Sequence, residues 1–412
     1  MLAKGSPGSS LYLHFPKVEL GMKKVLFIGD AGRGGQSENV QKIFRLFLPV
    51  FMHSGVACVA HVSSTNRLIE TSEWVDSWHS YLSGQGDSHL CSLDLSDTAV
   101  VGFEVPDRDL AYLSQQQVPW VNLEIHPLRF MDDLYFNVTS SFDYDFKELS
   151  ASPVFIDFCA NAMRIRYGDL EQGIPEASLA IFGQMPCDKS VFWDGGFRSL
   201  DCYFDQIDRL AEEHQKVFYR PHPYLSNDEL DKEICRRYDA EIFSGRDVYR
   251  FFSSGRVATV CAISSSVIFE APHFGVRGVF LESRAKRFGE PVNFVRLLNE
   301  RELWFGGLLG MAGHSCQLFN GVAPNNFLRD IFGYWGYVNR EREIEENLVS
   351  LGDKVRLAEE RANQAEARLE AILSSKTWHL TAPLRWAIRL FRMAQFKLRR
   401  AETRYCAYKS PE

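Results

Sequence analysis

Short apolar runs that end in turns and alternate with helix-like segments constrain this chain more than any other feature. Residues 23–30 (KKVLFIGD), 98–103 (TAVVGF), 120–125 (WVNLEI), 178–182 (SLAIF), 217–220 (VFYR) and 257–263 (VATVCAI) each have the length of a buried strand. Apolar residues three and four apart predict helices over 39–51 and over 200–216, where Leu200, Phe204, Ile207 and Leu210 share a face. Alternating strands and helices imply parallel sheets. The runs fall into two sets, so the expected architecture is α/β and GT-B-like: two Rossmann-like domains facing a cleft. The expected boundaries are a loose leader at 1–22, an N-terminal domain at 23–174 and a C-terminal domain at 175–338.

A length of 412 residues allows two such domains and something more. The something more begins near residue 339. Ile344, Leu348, Leu351, Val355, Ala358, Ala362, Ala365, Leu369 and Ile372 follow a four-three spacing, the a/d seam of a coiled coil over 339–373. A single helix docked on the second domain is the other reading of the same spacing. Past Pro383, Leu384, Ile388 and Phe391 share a face and arginines interleave, so 374–412 reads as a basic amphipathic tail suited to an anionic membrane surface.

Charge supports that division. Residues 376–404 hold eight basic side chains against Glu402 alone, a charge of +7 within a chain of net −7, which leaves −14 on the remainder. An acidic remainder argues against general nucleic-acid binding. The nine cysteines are scattered and form no CxxC pair, which supports neither a zinc site nor a disulfide framework and fits a reducing cytoplasm. No apolar run reaches the roughly eighteen residues of a membrane span. The first twenty residues lack the apolar core of a secretory signal, and Met22 is an alternative start to Met1.

The glycines after the first strand, Gly29, Gly32, Gly34 and Gly35, do not have the GxGxxG spacing, which argues against a dinucleotide site. The chemistry is expected where other strands end. Ser264, Ser265 and Ser266 follow 257–263 and precede a helix-like pattern. A strand, a hydroxyl-rich turn and a helix N-terminus make an anion site, although serine capping of a buried helix accounts for the same residues. Upstream, Arg220-Pro221-His222-Pro223 holds a histidine between two prolines that fix its backbone, poised to donate to a phosphate. A third strand end carries Gly183-Gln184 and then Asp188-Lys189-Ser190. Glu124, in LEIHP, stands at the end of a first-domain strand. The acidic pairs Asp132-Asp133 and Asp143–Asp145 lie at no clear strand end, so no metal site is expected from them.

The GQxxxDxS, RPHP and SSSxxxEA pattern resembles the retaining β-Kdo glycosyltransferases of bacterial capsule and O-antigen biosynthesis, over roughly residues 24–330. The resemblance implies a GT-B-like enzyme that transfers Kdo, an eight-carbon keto-sugar acid, from CMP-Kdo to a lipid-linked or polysaccharide acceptor. It implies no cofactor and no metal. It implies donor binding by Gln184, Lys189, Ser190, Arg220, His222, Ser264, Ser265, Ser266 and Glu270. It also implies retention through a covalent adduct, for which Asp188 is the matching carboxylate; Glu124, on the N-terminal domain expected to carry the acceptor, is the candidate base for the second step. Asp188 as a helix N-cap and Glu124 in an ion pair with Arg129 or Arg33 are the plainer alternatives. The expected location is the bacterial cytoplasm, peripheral at the inner membrane, with coiled-coil oligomers or other assembly enzymes as further partners. A GT-B transferase using another nucleotide sugar, or a non-catalytic assembly subunit, fits the same architecture.

Overall fold

The computed structural model describes residues 12–13, 22–29, 36–52, 54–61, 79–84, 88–167, 174–222, 227–243, 248–285, 287–311 and 323–334, with helical fragments between 355 and 392. The chain divides into two compact units, Met1–Tyr337 and Val338–Glu412.

The first unit is α/β and holds two sheets. In the first, β1 (Tyr12–Leu13), β2 (Lys24–Gly29), β3 (Ala57–Ala60), β4 (Thr98–Phe103), β5 (Trp120–Ile125) and β6 (Phe136–Ser140) run in the order β1-β3-β2-β4-β5-β6. The four inner strands are parallel, and β1 and β6 add antiparallel edges. The leader is thus not wholly loose, since Tyr12 and Leu13 pair with Val59 and Cys58. Strand side chains alternate between faces: Val25 and Phe27 enter one core, Leu26 and Ile28 another.

The second sheet contains β7 (Ser178–Phe182), β10 (Val217–Arg220), β11 (Glu241–Ile242), β12 (Val257–Ala262) and β13 (Arg277–Phe280). A small hairpin of β8 (Phe192–Trp193) and β9 (Gly196–Phe197) lies in the connection after β7. The order is β11-β10-β7-β12-β13, all parallel. The first strand in sequence is therefore central, and the order reverses between β7 and β12. In such sheets ligands bind beyond the carboxyl ends of the strands at the reversal.

The expected boundaries 23–174 and 175–338 are crossed in both directions. Helix Pro153–Tyr167 precedes the second sheet in sequence, yet its Ile156, Cys159, Ala160 and Met163 pack with Ala180, Phe182 and Phe251. Conversely, Val292, Phe294, Leu297 and Trp304 return to the first sheet's core. Trp304 is fully buried against Phe47 and Phe51 at ring distances of 5.3 and 5.8 Å, and its indole N–H donates to Leu297 O at 2.7 Å. Burial of apolar side chains against both sheets favours the exchange. The return also fixes a loop. Arg329, fully buried, donates through Nη2 to the carbonyls of Arg129 at 2.8 Å and Met131 at 2.7 Å.

In the second unit the described residues are mostly helical, and Val355, Leu384, Trp386 and Ile388 are exposed. Of the proposed seam, Val355 and Ala362 are described, both helical and exposed. The other seam positions and most of the basic tail lie outside the described residues, as do Arg33, Pro223 and the glycine loop at 31–35. Among the described residues no helix is long and apolar enough to cross a membrane.

Candidate functional site

At the reversal point of the second sheet, the turns after β7 and β12 are tied together by one side chain. Gln184 Oε1 accepts from Ser264 N at 2.6 Å, and Gln184 Nε2 donates to Ser264 Oγ at 3.0 Å. The Ser264 hydroxyl donates in turn to Ser190 O. Both donors of Ser264 are therefore engaged within the protein, where they hold the 184–190 loop against the end of β12. Gly183 permits a close approach to the end of β10. A Cβ there would lie 2.9 Å from Tyr219 Oη, 3.2 Å from His222 N and 3.3 Å from Arg220 O.

The helix after the three serines is a single turn, Val267–Glu270, followed by a 3-10 turn, Ala271–Phe274. Pro272 lacks an N–H and Gly275 takes φ 76°, which ends the run. So short a helix carries little dipole, and the anion site expected at its N-terminus is reduced to the serine turn itself. Ser265 and Ser266 are half-buried, and their carbonyls accept from Ile268 N at 3.2 Å and Phe269 N at 2.9 Å.

Asp188 caps the 3-10 turn Lys189–Val191, accepting from Ser190 N through Oδ1 at 2.9 Å. The plainer sequence reading is thus realised, and it engages one carboxylate oxygen. Lys189 reaches the other sheet, where Nζ donates to Glu104 O at 3.1 Å. At the end of β10, the Arg220 guanidinium lies over the rings of Phe182 and Phe243, at 5.9 and 5.8 Å. Burial lowers the His222 pKa below the usual histidine value; the Asp188 charge raises it and Arg220 lowers it further. The imidazole is therefore neutral near pH 7 and feels Asp188.

Facing these turns is the carboxyl edge of the first sheet. Glu124, at the end of β5, is buried and accepts from Asn137 Nδ2 at 2.9 Å, while Asn137 Oδ1 accepts from Gly289 N at 2.9 Å. His126 of the same segment is structural: its Nε2 meets Gly289 O at 3.0 Å, Leu128 N donates to its Nδ1 at 3.3 Å, and burial pushes its pKa down to about 4.

A cavity of about 520 Å³ joins the two edges. Asp188, Lys189, Ser190 and Ser264 line it from the second sheet, and Glu104, Glu124 and Arg129 from the first. Gln184 and His222 line a smaller hollow alongside, with Gly183 and Tyr219. Glu270 lines neither of these. It is buried in the core, accepts from Arg129 N at 2.7 Å and Tyr249 Oη at 2.6 Å, and burial raises its pKa to about 7. Glu270 follows the serines by a single helical turn, and its carboxylate is held in the core by the Arg129 backbone and Tyr249. Among the described residues no group of three or more His, Cys, Asp or Glu is arranged to hold a metal ion. Asp133 accepts from the backbone N–H groups of Leu134, Leu328 and Arg329.

Sequence reasoning overlooked Glu104 and treated Arg129 only as an ion-pair partner. The signal for Glu104 was present, because it directly follows the apolar run of β4. That is the position that singled out Glu124 on β5.

No family model and no curated protein matches the chain. Among solved structures it is similar to KpsC, the beta Kdo 2,7 transferase of Thermosulfurimonas dismutans, at 13% identity over 67% of this chain and 88% of that one, with a TM-score of 0.35. It is also similar to L-tryptophan dehydrogenase from Nostoc punctiforme, at 9% identity over 65% of this chain and 68% of that one, with a TM-score of 0.16. At these scores neither likeness carries an argument about activity, and the functional reading rests on the site.

Proposed function

We propose that the protein is a glycosyltransferase that transfers Kdo from CMP-Kdo to a surface-polysaccharide acceptor, with retention through a covalent adduct on Asp188. One observation carries the reading. Asp188, Lys189 and Ser190 beside the second sheet and Glu104, Glu124 and Arg129 beside the first line a single cavity large enough for a substrate. The motifs that resemble the β-Kdo transferases supply the choice of donor.

In this reading the donor's phosphate sits near His222, Ser265 and Ser266, and Lys189 and Arg220 add positive charge. CMP leaves without a general acid once its charge is held. Asp188 attacks the anomeric carbon, the bond from that carbon to the phosphate oxygen breaks, and its electron pair departs with CMP. An acceptor hydroxyl then displaces Asp188, with a carboxylate of the opposite wall, Glu124 in the sequence reading, as base. The protein works on the cytoplasmic face of the inner membrane, held there by the basic tail. No cofactor or metal enters this scheme.

The test is incubation with CMP-Kdo and a lipid-linked glycan extract, read by mass spectrometry. Glycans heavier by one Kdo residue are expected. Transfer from a different nucleotide sugar, with none from CMP-Kdo, would replace the donor. No transfer from any nucleotide sugar would favour a non-catalytic assembly role.

A further inference from the structure

Glu104 is the unusual residue of the cavity. It directly follows β4, and its backbone is left-handed, φ 52°. A glutamate rarely adopts that conformation, whereas glycine or asparagine adopts it at lower cost. The surrounding structure forces it. Glu104 N donates to Leu123 O at 2.8 Å, and Val105 N donates to Asn122 Oδ1 at 3.1 Å. Gly102 leaves room for that amide, since a Cβ there would lie 2.8 Å from Asn122 Oδ1. From the opposite wall, Lys189 Nζ holds the Glu104 carbonyl at 3.1 Å.

At residue 104 these contacts use the backbone alone, so glycine would satisfy them without strain. Among the described non-glycine residues with left-handed backbone, Glu104 alone lines this cavity. What the glutamate adds is a carboxylate that shares the cavity with Asp188 and whose charge acts on the buried Arg129 guanidinium. Strained residues kept in place by their surroundings cluster where they act on a ligand. Glu124 differs in exposure: it is only 6% exposed, whereas Glu104 is half-buried.

We propose that Glu104 is the general base of the second half-reaction, the role first given to Glu124. It takes the proton of the acceptor hydroxyl as that oxygen's lone pair forms the bond to the anomeric carbon. The bond from that carbon to Asp188 breaks, and its electron pair returns to the Asp188 carboxylate. The inference rests on the covalent-adduct reading above.

The experiment needs no glycan acceptor, because water attacks the adduct by the same route. The protein is exposed to CMP-Kdo, excess donor is removed, and decay of the adduct is followed by intact-protein mass spectrometry. Glu104→Asn and Glu104→Gly suit the left-handed backbone and remove the carboxylate; relief of backbone strain and loss of the charge acting on Arg129 oppose each other in stability, so thermal melting first checks that each variant is folded. Both should form the adduct and lose it about a hundredfold or more slowly, the usual range for loss of a general base. Azide attacks without base assistance, so it should restore decay in these variants and change the wild type little. Decay at the wild-type rate in both variants would overturn the assignment. So would failure of either folded variant to form the adduct, which would move Glu104 to the first step, or a block seen only in Glu124→Gln. A wild type that never forms an adduct would sink the parent reading and this role with it, a result distinct from variants that react normally.

Discussion

His222 draws its meaning from its surroundings. It follows β10, half-buried, with Asp188 raising and Arg220 lowering a pKa that burial has already depressed. A neutral imidazole that gains a proton becomes a charged donor to phosphate. CMP affinity should therefore rise as pH falls through the His222 titration, because the bound state favours the proton. The sign for stability is opposite. A histidine with a folded pKa below its unfolded value stabilises the fold above about pH 6.5, and that contribution is lost as pH falls through the folded value. His222→Ala should fold, lose about 1.5–3 kcal/mol of CMP binding, roughly ten- to a hundredfold, and lose the pH dependence. Calorimetric titration at two pH values reads both, and unchanged affinity would remove His222 from the donor site. Residue types in motifs named Asp188 and His222 as candidates from sequence alone. Glu104 escaped because its distinguishing property, a left-handed backbone, leaves no trace in composition or period. Glu270 was grouped with the serines by spacing, yet its carboxylate turns into the core toward Arg129 N and Tyr249 Oη.

Among the elements, the turn that joins β7 to β10 and β12 decides the site's shape. Gly183 lets the ends of β7 and β10 converge, and a methyl group there would press on Tyr219 Oη and on the backbone of Arg220 and His222. Tyr219 cannot yield easily, because it is buried and its hydroxyl donates to Asp231 Oδ1 at 2.5 Å. Gly183→Ala should cost about 1–3 kcal/mol in stability and weaken CMP binding as well, by displacing His222. Thermal melting together with CMP titration checks this, and a variant that melts and binds like the wild type would show that the turn relaxes freely. Central strands were the most legible elements. Residues 98–103, 120–125, 178–182 and 217–220 are strands over the ranges their apolar runs predict, because buried parallel strands read as continuous apolar runs. The edges were not legible. Strand β6, FNVTS, ends in an exposed threonine and a half-buried serine, and β13 is only RGVF.

For the whole molecule, the lesson concerns segment exchange. Helix Pro153–Tyr167 and the stretch from Val292 to Trp304 each pack on the sheet that sequence order assigns to the other half. Local periodicity reports which face of a helix is apolar, not which sheet covers it. The second unit carries the basic tail, whose membrane role is a proposal with its own check. A chain ending near residue 372 should lose binding to anionic vesicles, since each basic residue near the surface contributes up to about 1 kcal/mol. Full-chain binding should fall steeply with salt, and co-sedimentation of the shortened chain at the full-length level would mean the tail is not the anchor. The central claim is that Asp188, beyond capping one turn, is the nucleophile of a covalent sugar transfer. Asp188→Asn keeps the shape and removes the charge, so it should bind CMP-Kdo yet lose several powers of ten in rate. The direct measurement is intact-protein mass spectrometry of wild type and Asp188→Asn after exposure to CMP-Kdo without acceptor. The account predicts a wild-type fraction heavier by one Kdo residue, mapped by peptide digestion to Asp188 and absent from the variant. An adduct on another carboxylate, or full turnover by Asp188→Asn, would contradict it and leave Asp188 as a helix cap.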